Sequence, residues 1–249
     1  VVAALLIIVV VAAFVWWRLS RTTQAPVELT ASKLTFDTGF TSFPAISPDG
    51  KLAAYASDRS GRGDLDIYVQ HVAGRQPVRL THHEADDWQP AFSPDGSRIV
   101  FRSERDGGGI YIVDALGGEE RKLAGRGHFP RFSPDGSTVS YFELSAFPST
   151  AKMYLVPAQG GPAKAFLPEF GVLQPPFSVG PIWSPDGKFL LFPGVRGNEA
   201  RTADWWVAPL GGGEPVPTGA YASLARFGAM RFPCAWLPEG VLFAAGTTM

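Results

Sequence analysis

The tetrapeptide Ser-Pro-Asp-Gly occurs four times in this chain, beginning at Ser47, Ser93, Ser133 and Ser184, at intervals of 46, 40 and 51 residues. A degenerate fifth copy, Leu237-Pro238-Glu239-Gly240, follows 53 residues after the fourth. The surroundings recur as well. A proline stands three residues before each serine and an apolar residue directly before it: Pro44-Ala45-Ile46, Pro90-Ala91-Phe92, Pro130-Arg131-Phe132 and Pro181-Ile182-Trp183. The fifth copy has Pro233-Cys234-Ala235-Trp236, one residue longer. Each tetrapeptide leads into a short, largely apolar run, at residues 52–56, 98–102, 138–142, 189–192 and 241–244. Each full repeat carries a second such run, at 66–69, 109–112, 152–155 and 204–207, then a glycine-containing turn and a last short run such as 77–81 or 121–123.

Proline pre-sets φ for the second position of a turn, Asp bonds its own backbone locally, and Gly accepts positive φ. Placed between two β-rich runs, the tetrapeptide is a hairpin corner. Asp49, Gly50, Asp95, Gly96, Asp135, Gly136, Asp186 and Gly187 are therefore assigned to turns rather than to chemistry. Three to four strands per repeat of 40 to 50 residues predict the blades of a β-propeller. The expected fold is all-β, with four blades and part of a fifth over residues 33–249. A lone blade cannot bury both faces, so the repeats must stack. A β-sandwich with incidental turns is the competing reading, and four matches to a seven-residue pattern count against it.

Composition narrows the class further. With 28 Gly and 22 Pro, turn formers make up about a fifth of the chain, which excludes a helical bundle or coiled coil. Aromatic residues are 12% and charged residues only 18%, unlike a disordered chain. The net charge of −1 gives no reason to expect nucleic-acid binding. A single cysteine, Cys234, excludes an intrachain disulfide framework and a multi-cysteine zinc site.

Residues 1–17 read VVAALLIIVVVAAFVWW, without one charged or strongly polar side chain. They are expected to form a transmembrane helix, short by a few residues of a full span. Because the chain starts with Val, the span is expected to be truncated. Trp16 and Trp17 suit a membrane–water boundary, with Arg18 and Arg21 in the headgroup layer. The bulky Trp-Trp-Arg sequence argues against a cleaved signal peptide, and the absence of a polar face argues against a core helix. Residues 18–32 then form a polar linker. Charge alone does not orient the span, because only one flank is present.

The pattern Pro-x-apolar-Ser-Pro-Asp-Gly, an apolar strand, Asp66-Ile67-Tyr68-Val69 and Arg79-Leu80-Thr81 resembles the WD40-like propeller repeat of the TolB type. Similar blades occur in the tricorn protease and beside the hydrolase domain of prolyl-oligopeptidase-like peptidases. The likeness runs from about residue 30 to 249. Lys33-Leu34-Thr35-Phe36 looks like the last strand of such a repeat. The family's six or seven blades imply that the full propeller is larger than these repeats, ending beyond residue 249. An apolar span, a linker and then such a propeller also resemble the C-terminal half of bacterial membrane-anchored regulators. That resemblance implies a serine/threonine kinase or winged-helix DNA-binding domain on the N-terminal side and a single-pass membrane protein whose propeller is extracytoplasmic, in the periplasm.

Motifs of catalysis are missing. The sequence has no Gly-x-Ser-x-Gly, no phosphate-binding Gly-x-x-x-x-Gly-Lys-Ser/Thr, no Gly-x-Gly-x-x-Gly and no kinase signature. The cluster Thr81-His82-His83-Glu84-Ala85-Asp86-Asp87-Trp88 has divalent-metal ligand types. Adjacent histidines of a strand point to opposite faces, however, which favours a solvated loop joining two blades. The Gly- and Asp-rich residues 58–66 lack the twelve-residue calcium loop with its terminal Glu and are read as a hairpin loop. Tyr68, Tyr111, Tyr154 and Trp206 hold one place in each repeat and are assigned to packing, not to a binding platform.

These readings give a non-catalytic, membrane-tethered sensor or binding module without cofactor or metal. Its expected partner is a protein or peptide, with a small ligand as the other occupant. The alternative is the accessory propeller of a prolyl-oligopeptidase-like peptidase. Blade-linking loops converge near the channel mouth of a propeller, so contacts are expected from residues that differ between repeats. The candidates are His82, His83, Asp86, Asp87 and His128, with Phe170 and Phe177 from the aromatic, proline-rich insertion at residues 166–180.

Overall fold

The computed structural model describes residues 32–36, 39–74, 76–144, 150–173, 180–197, 199–228 and 230–246. The expected membrane span at 1–17 and nearly all of the 18–32 linker lie outside them. Among the described residues no helix is long and apolar enough to cross a membrane. The chain divides into two compact units, Val1–Leu34 and Thr35–Met249.

The second unit is built of antiparallel strands in repeat order. The first blade is β1 (Thr41–Ile46), β2 (Leu52–Ser57), β3 (Asp66–His71) and β4 (Val78–Arg79). The second is β5 (Asp87–Phe92), β6 (Arg98–Ser103), β7 (Gly109–Asp114) and β8 (Arg121–Ala124). The third has β9 (His128–Phe132), β10 (Thr138–Leu144), β11 (Thr150–Pro157) and β12 (Lys164–Phe166). An extra strand, β13 (Phe170–Leu173), pairs with β11 on one side and with β15 on the other. It joins the third blade to the fourth, which comprises β14 (Ile182–Trp183), β15 (Phe189–Arg196), β16 (Asp204–Pro209) and β17 (Val216–Pro217). A two-stranded sheet follows, β18 (Met230–Leu237) and β19 (Gly240–Gly246), paired around the degenerate fifth corner. The four blades and part of a fifth that the repeats predict are thus present.

Apolar layers lie between successive blades. Ala54, Ile67, Ile99 and Phe101 pack together between the first and second, and Val100, Ile110, Val139 and Tyr141 between the second and third. Phe142, Met153, Leu190 and Phe192 do so between the third and fourth. Because the middle strands of the second and third blades have a neighbouring blade on both faces, β6 and β10 read as nearly continuous apolar runs, not as alternating ones. The repeated aromatic column is part of this packing. Tyr55 faces Tyr68, Phe101 faces Tyr111 and Tyr141 faces Tyr154 across the strand pairs, with rings stacked at interplanar angles of 17°, 29° and 13°.

The four corners have one geometry. In the first, the Ser47 hydroxyl donates to Asp49 Oδ1 at 2.7 Å, the Lys51 amide donates to the same oxygen at 3.1 Å, and the Leu52 amide donates to Ser47 Oγ at 2.9 Å. The Gly50 amide closes the turn on the Ser47 carbonyl at 2.8 Å, with Gly50 at φ +70°. Gly96, Gly136 and Gly187 repeat this at φ +71°, +70° and +72°. These hydrogen bonds, the Ser hydroxyl foremost, hold Asp49 and Asp95 at about pKa 2 and lower Asp135 and Asp186 as well.

One strand expectation is corrected. Lys33, Leu34, Thr35 and Phe36 form no strand, and Phe36 is 76% exposed. A single extended segment has no ladder of its own, and none of the described strands pairs with this one.

Candidate functional site

On the side of the blades opposite the corners, the loop between β2 and β3 meets the loop that links the first blade to the second. The Leu65 amide donates to Asp86 Oδ1 at 2.8 Å, and the Glu104 amide donates to the Asp86 carbonyl at 2.9 Å. Arg62 Nη2 donates to the His83 carbonyl at 3.4 Å and to Asp64 Oδ2 at 2.5 Å. His83 Nδ1 accepts from the Ala85 amide at 3.0 Å. His82, His83 and Asp86 are exposed, and an open polar crevice runs past Arg62, Asp64, Glu84 and Asp86. Among the described residues, no three His, Cys, Asp or Glu side chains converge as metal ligands would. Asp86 orders the loop through its own backbone and side-chain bonds.

Asp87 departs from its expected role as an exposed contact. Its side chain is fully buried at the start of β5, 2.8 Å from Arg105 Nη2, and Arg105 also pairs with Glu120. Burial raises the Asp87 pKa, against the Arg105 charge and the hydroxyls of Ser103 and Thr81. A carboxylate so enclosed is part of the blade, not of a surface. Phe170 is corrected for a related reason. The insertion is not one exposed loop: β13 forms within it, and Phe170 is 1% exposed, edge-on to Phe192 and Trp206 at 5.6 and 4.9 Å. Phe177 lies outside the described residues.

The residues that do converge stand at the inner ends of the blades. In every full repeat the residue before the recurring proline has a left-handed backbone: Phe43 at φ +51°, Gln89 at +55°, Phe129 at +53° and Gly180 at +83°. The strand register shifts there in the first three blades. The bulge re-aims a side chain, the usual effect of an extra residue in one strand. Phe43 meets Trp88 edge-on at 5.5 Å and Phe129 at 6.4 Å. Gln89 Oε1 accepts from the Phe129 amide at 2.8 Å, tying the second blade to the third. Gly180 is pressed so close to the Phe129 carbonyl that a Cβ there would lie 2.4 Å from it.

A charged pair flanks these rings. Trp88 Nε1 donates to Glu104 Oε1 at 3.2 Å, and Arg102 grips both Glu104 oxygens at 2.8 and 2.7 Å while also bonding the Gly127 carbonyl. His128 begins β9 beside them. Burial, then the nearby Arg102 charge, pushes its pKa down to about 4, with Glu104 opposing. The imidazole is therefore neutral at physiological pH. The arrangement offers aromatic edges and a partly exposed carboxylate. Of the sequence candidates among the described residues, His128 alone belongs to it. Phe43, Gln89 and Phe129 were legible only as the variable residue before each recurring proline, which is Phe, Gln, Phe and Gly in turn, whereas Trp88 and Glu104 carry no such signal.

Residues 28–129 match the family described as the TolB beta propeller domain. No curated protein matches the chain. Among solved structures, TolB from Acinetobacter baumannii is 23% identical with a TM-score of 0.53, covering 72% of this chain and 42% of its own. A putative TolB from Agrobacterium tumefaciens is also 23% identical, with a TM-score of 0.56, covering 73% of this chain and 67% of that one. A prolyl endopeptidase structure is 17% identical, with a TM-score of 0.52, over 74% of this chain and 30% of that one. The chain thus spans less than half of the Acinetobacter protein. Residues 28–129 thus match the TolB-type β-propeller repeat, and the corner geometry and blade order continue the same fold in the later repeats.

Proposed function

We propose that this propeller is a non-catalytic binding module that holds a protein or peptide partner at the inner blade ends around Phe43, Trp88, Glu104, His128 and Phe129. The observation that carries this reading is a division of labour between residues. Those that recur in each repeat are consumed by corners and interblade packing. Those that differ between repeats gather at the inner ends, where rings and a carboxylate face one another across three blades. Aromatic anchors with a charged neighbour are the usual makings of an interface hot spot. The TolB structures support the fold of such a module, and its partner is a proposal of the inner-end chemistry alone.

The wider arrangement belongs to the same proposal. Residues 1–17 tether the propeller to a membrane, the propeller lies outside the cytoplasm, and a kinase or DNA-binding domain stands on the N-terminal side. Ligand occupancy at the inner ends would then be read across the membrane. The test is selection of peptides from a random library on the full chain, followed by titration of the selected peptides. Trp88→Ala should weaken binding about tenfold or more, the scale of an interface hot spot, with unchanged circular dichroism. Peptides that bind Trp88→Ala as tightly as the unaltered chain would refute the site. Hydrolase or kinase turnover lost on His83→Ala would refute the non-catalytic reading and favour the peptidase accessory.

A further inference from the structure

We propose that the crevice between the first and second blades, on the corner side, is a binding pocket for a small, mostly hydrocarbon molecule carrying one hydrogen-bond acceptor. This pocket is independent of the inner-end site, which lies on the opposite side of the blades.

The pocket encloses about 290 Å³. Leu52, Val69, Val78, Leu80, Ala115 and Leu116 make its walls, with His71 and Gln76 as the polar groups. The repeats allow the same place to be inspected in successive blade pairs, and this pair differs. Between the second and third blades, the strand position of Val78 is taken by Arg121. Arg121 crosses the crevice and donates to the Ala158 carbonyl at 2.8 Å. Between the third and fourth, the place of Ala115 is taken by Leu210, which packs against the interblade core. The space left there, about 270 Å³, is walled by Leu155, Trp183 and Leu210 together with Ser133, Asp135, Ser137 and Asp186, so it carries more polar side chains than the pocket between the first and second blades. Between the first and second blades the crossing arginine is absent, since Val78 is too short to cross, and the walls are more apolar than between the third and fourth.

The chemistry of the walls selects the occupant. The volume is about twice the ~150 Å³ of a dry apolar cavity that takes benzene, so about ten non-hydrogen atoms fit. Largely apolar walls with a few placed polar groups are the makeup of a small-molecule site. His71 Nδ1 accepts from the Ala73 amide at 3.1 Å, which leaves Nε2 as the N–H of the ring. That N–H is a donor, and the Gln76 amide supplies another. Both suit a carbonyl or carboxylate oxygen on an otherwise apolar molecule. Leu116, 94% exposed, and Val78, 63% exposed, form an apolar lip at the entrance.

The probes are acetophenone, with one carbonyl, and ethylbenzene, of nearly the same shape without it. Each is titrated into the full chain and followed by saturation-transfer NMR and amide shifts. Acetophenone should bind, shift the amides of Ala115 and Leu80, and bind several-fold more tightly than ethylbenzene. His71→Ala together with Gln76→Ala should remove that preference. Val78→Arg, which copies Arg121 at an exposed position, should abolish binding of both probes. No binding of acetophenone to the unaltered chain, or equal binding to Val78→Arg, would overturn the proposal. Amide shifts confined to Trp88 and Phe129 would overturn it too, by moving the probe to the other side of the blades.

Discussion

Pro134 in the third corner lies over Gly187 in the fourth, its Cδ 3.6 Å from where a Cβ on that glycine would stand. Pro94 stands the same way to Gly136 at 3.5 Å, and Pro48 to Gly96 at 3.7 Å. The corners thus form a staircase in which each proline meets the glycine of the next repeat. These distances are ordinary van der Waals contacts, so a methyl group fits. The backbone is what forbids it, since the glycines sit at φ near +70°.

It follows that Gly136→Ala and Gly50→Ala should destabilise the propeller equally, by about 1–2 kcal/mol, the strain of a left-handed non-glycine residue. Gly50 has nothing within 4 Å of its would-be Cβ, whereas Gly136 has Pro94. Urea midpoints of the two variants check the claim. A much larger loss at Gly136 would mean that the staircase contact, not the backbone, governs the corner.

The corner carboxylates predict an acid response of definite sign. In an unfolded chain an Asp titrates near pKa 3.9. In the folded corners Asp49 and Asp95 titrate at about 2, and Asp135 and Asp186 are also lowered. The stability they contribute is fully present above the unfolded value and is lost as pH falls through the folded one. Buried Asp66 and Asp87, whose pKa values are raised, act in the opposite direction. Comparing Asp95→Asn with the unaltered chain isolates one corner. The variant should be the less stable at pH 6, and the gap should close between about pH 4 and 2 in thermal melts.

The buried pair of Asp87 and Arg105 should behave unlike the exposed corners. Arg105→Ala leaves a fully buried carboxylate without its cation, a loss of about 3–5 kcal/mol. Asp87→Asn should lose less, because Ser103 and Thr81 still have a side chain to bond. Denaturant midpoints of the two variants test this ordering.

How much of this was legible from sequence follows from what each residue type can signal alone. Ser47, Pro48, Asp49 and Gly50 specify a turn through local backbone chemistry, so the corners and blade count were readable. Asp87 was not, because a carboxylate among His82, His83, Glu84 and Asp86 looks solvated until its partner Arg105, on the far side of a hairpin, is placed beside it. Phe170 was misread because aromatic and proline-rich composition does not separate a loop from an added strand. The four-residue run Phe170–Leu173 carried the only local hint of β13. The left-handed residues before the prolines were hidden, since a residue preceding proline ordinarily favours extended backbone. The proline itself recurred visibly, but the register shift beside it did not.

His128 gives a second pH prediction, read at a single residue. Its pKa of about 4 lies below the ordinary histidine value, with burial as the main cause and the Arg102 charge as the next. The unfolded chain takes up this proton below about pH 6.5, whereas the folded chain resists until about 4. His128 therefore withdraws stability as pH falls through that interval. An NMR titration should find its ring neutral at pH 5, and Arg102→Ala should raise the midpoint only in part, because the burial remains. A midpoint near 6.5 in the unaltered chain would place His128 in open solvent.

The last prediction inverts an ordinary preference. Within a strand, Gly is normally worse than Ala, by roughly 0.5–1 kcal/mol. At position 89 the order should reverse. Gln89 has φ +55° and uses its Oε1 to accept from the Phe129 amide, 2.8 Å away in the next blade. Both Gln89→Ala and Gln89→Gly lose that bond and leave the amide without its acceptor, a loss of about 1–3 kcal/mol in either case. They differ in the backbone. Ala retains the left-handed strain, whereas Gly relieves about 1 kcal/mol of it or more. Gln89→Gly should therefore be the more stable of the two, by about 1 kcal/mol, with both below the unaltered chain. The same comparison at Ala54, in the middle of β2 and fully buried, should give Gly the lower stability. If Gly is worse than Ala at both positions, then the bulge relaxes when its side chain is removed. Phe43, Gln89 and Phe129 would then be held in place by their contacts and not by the backbone of the inner strands.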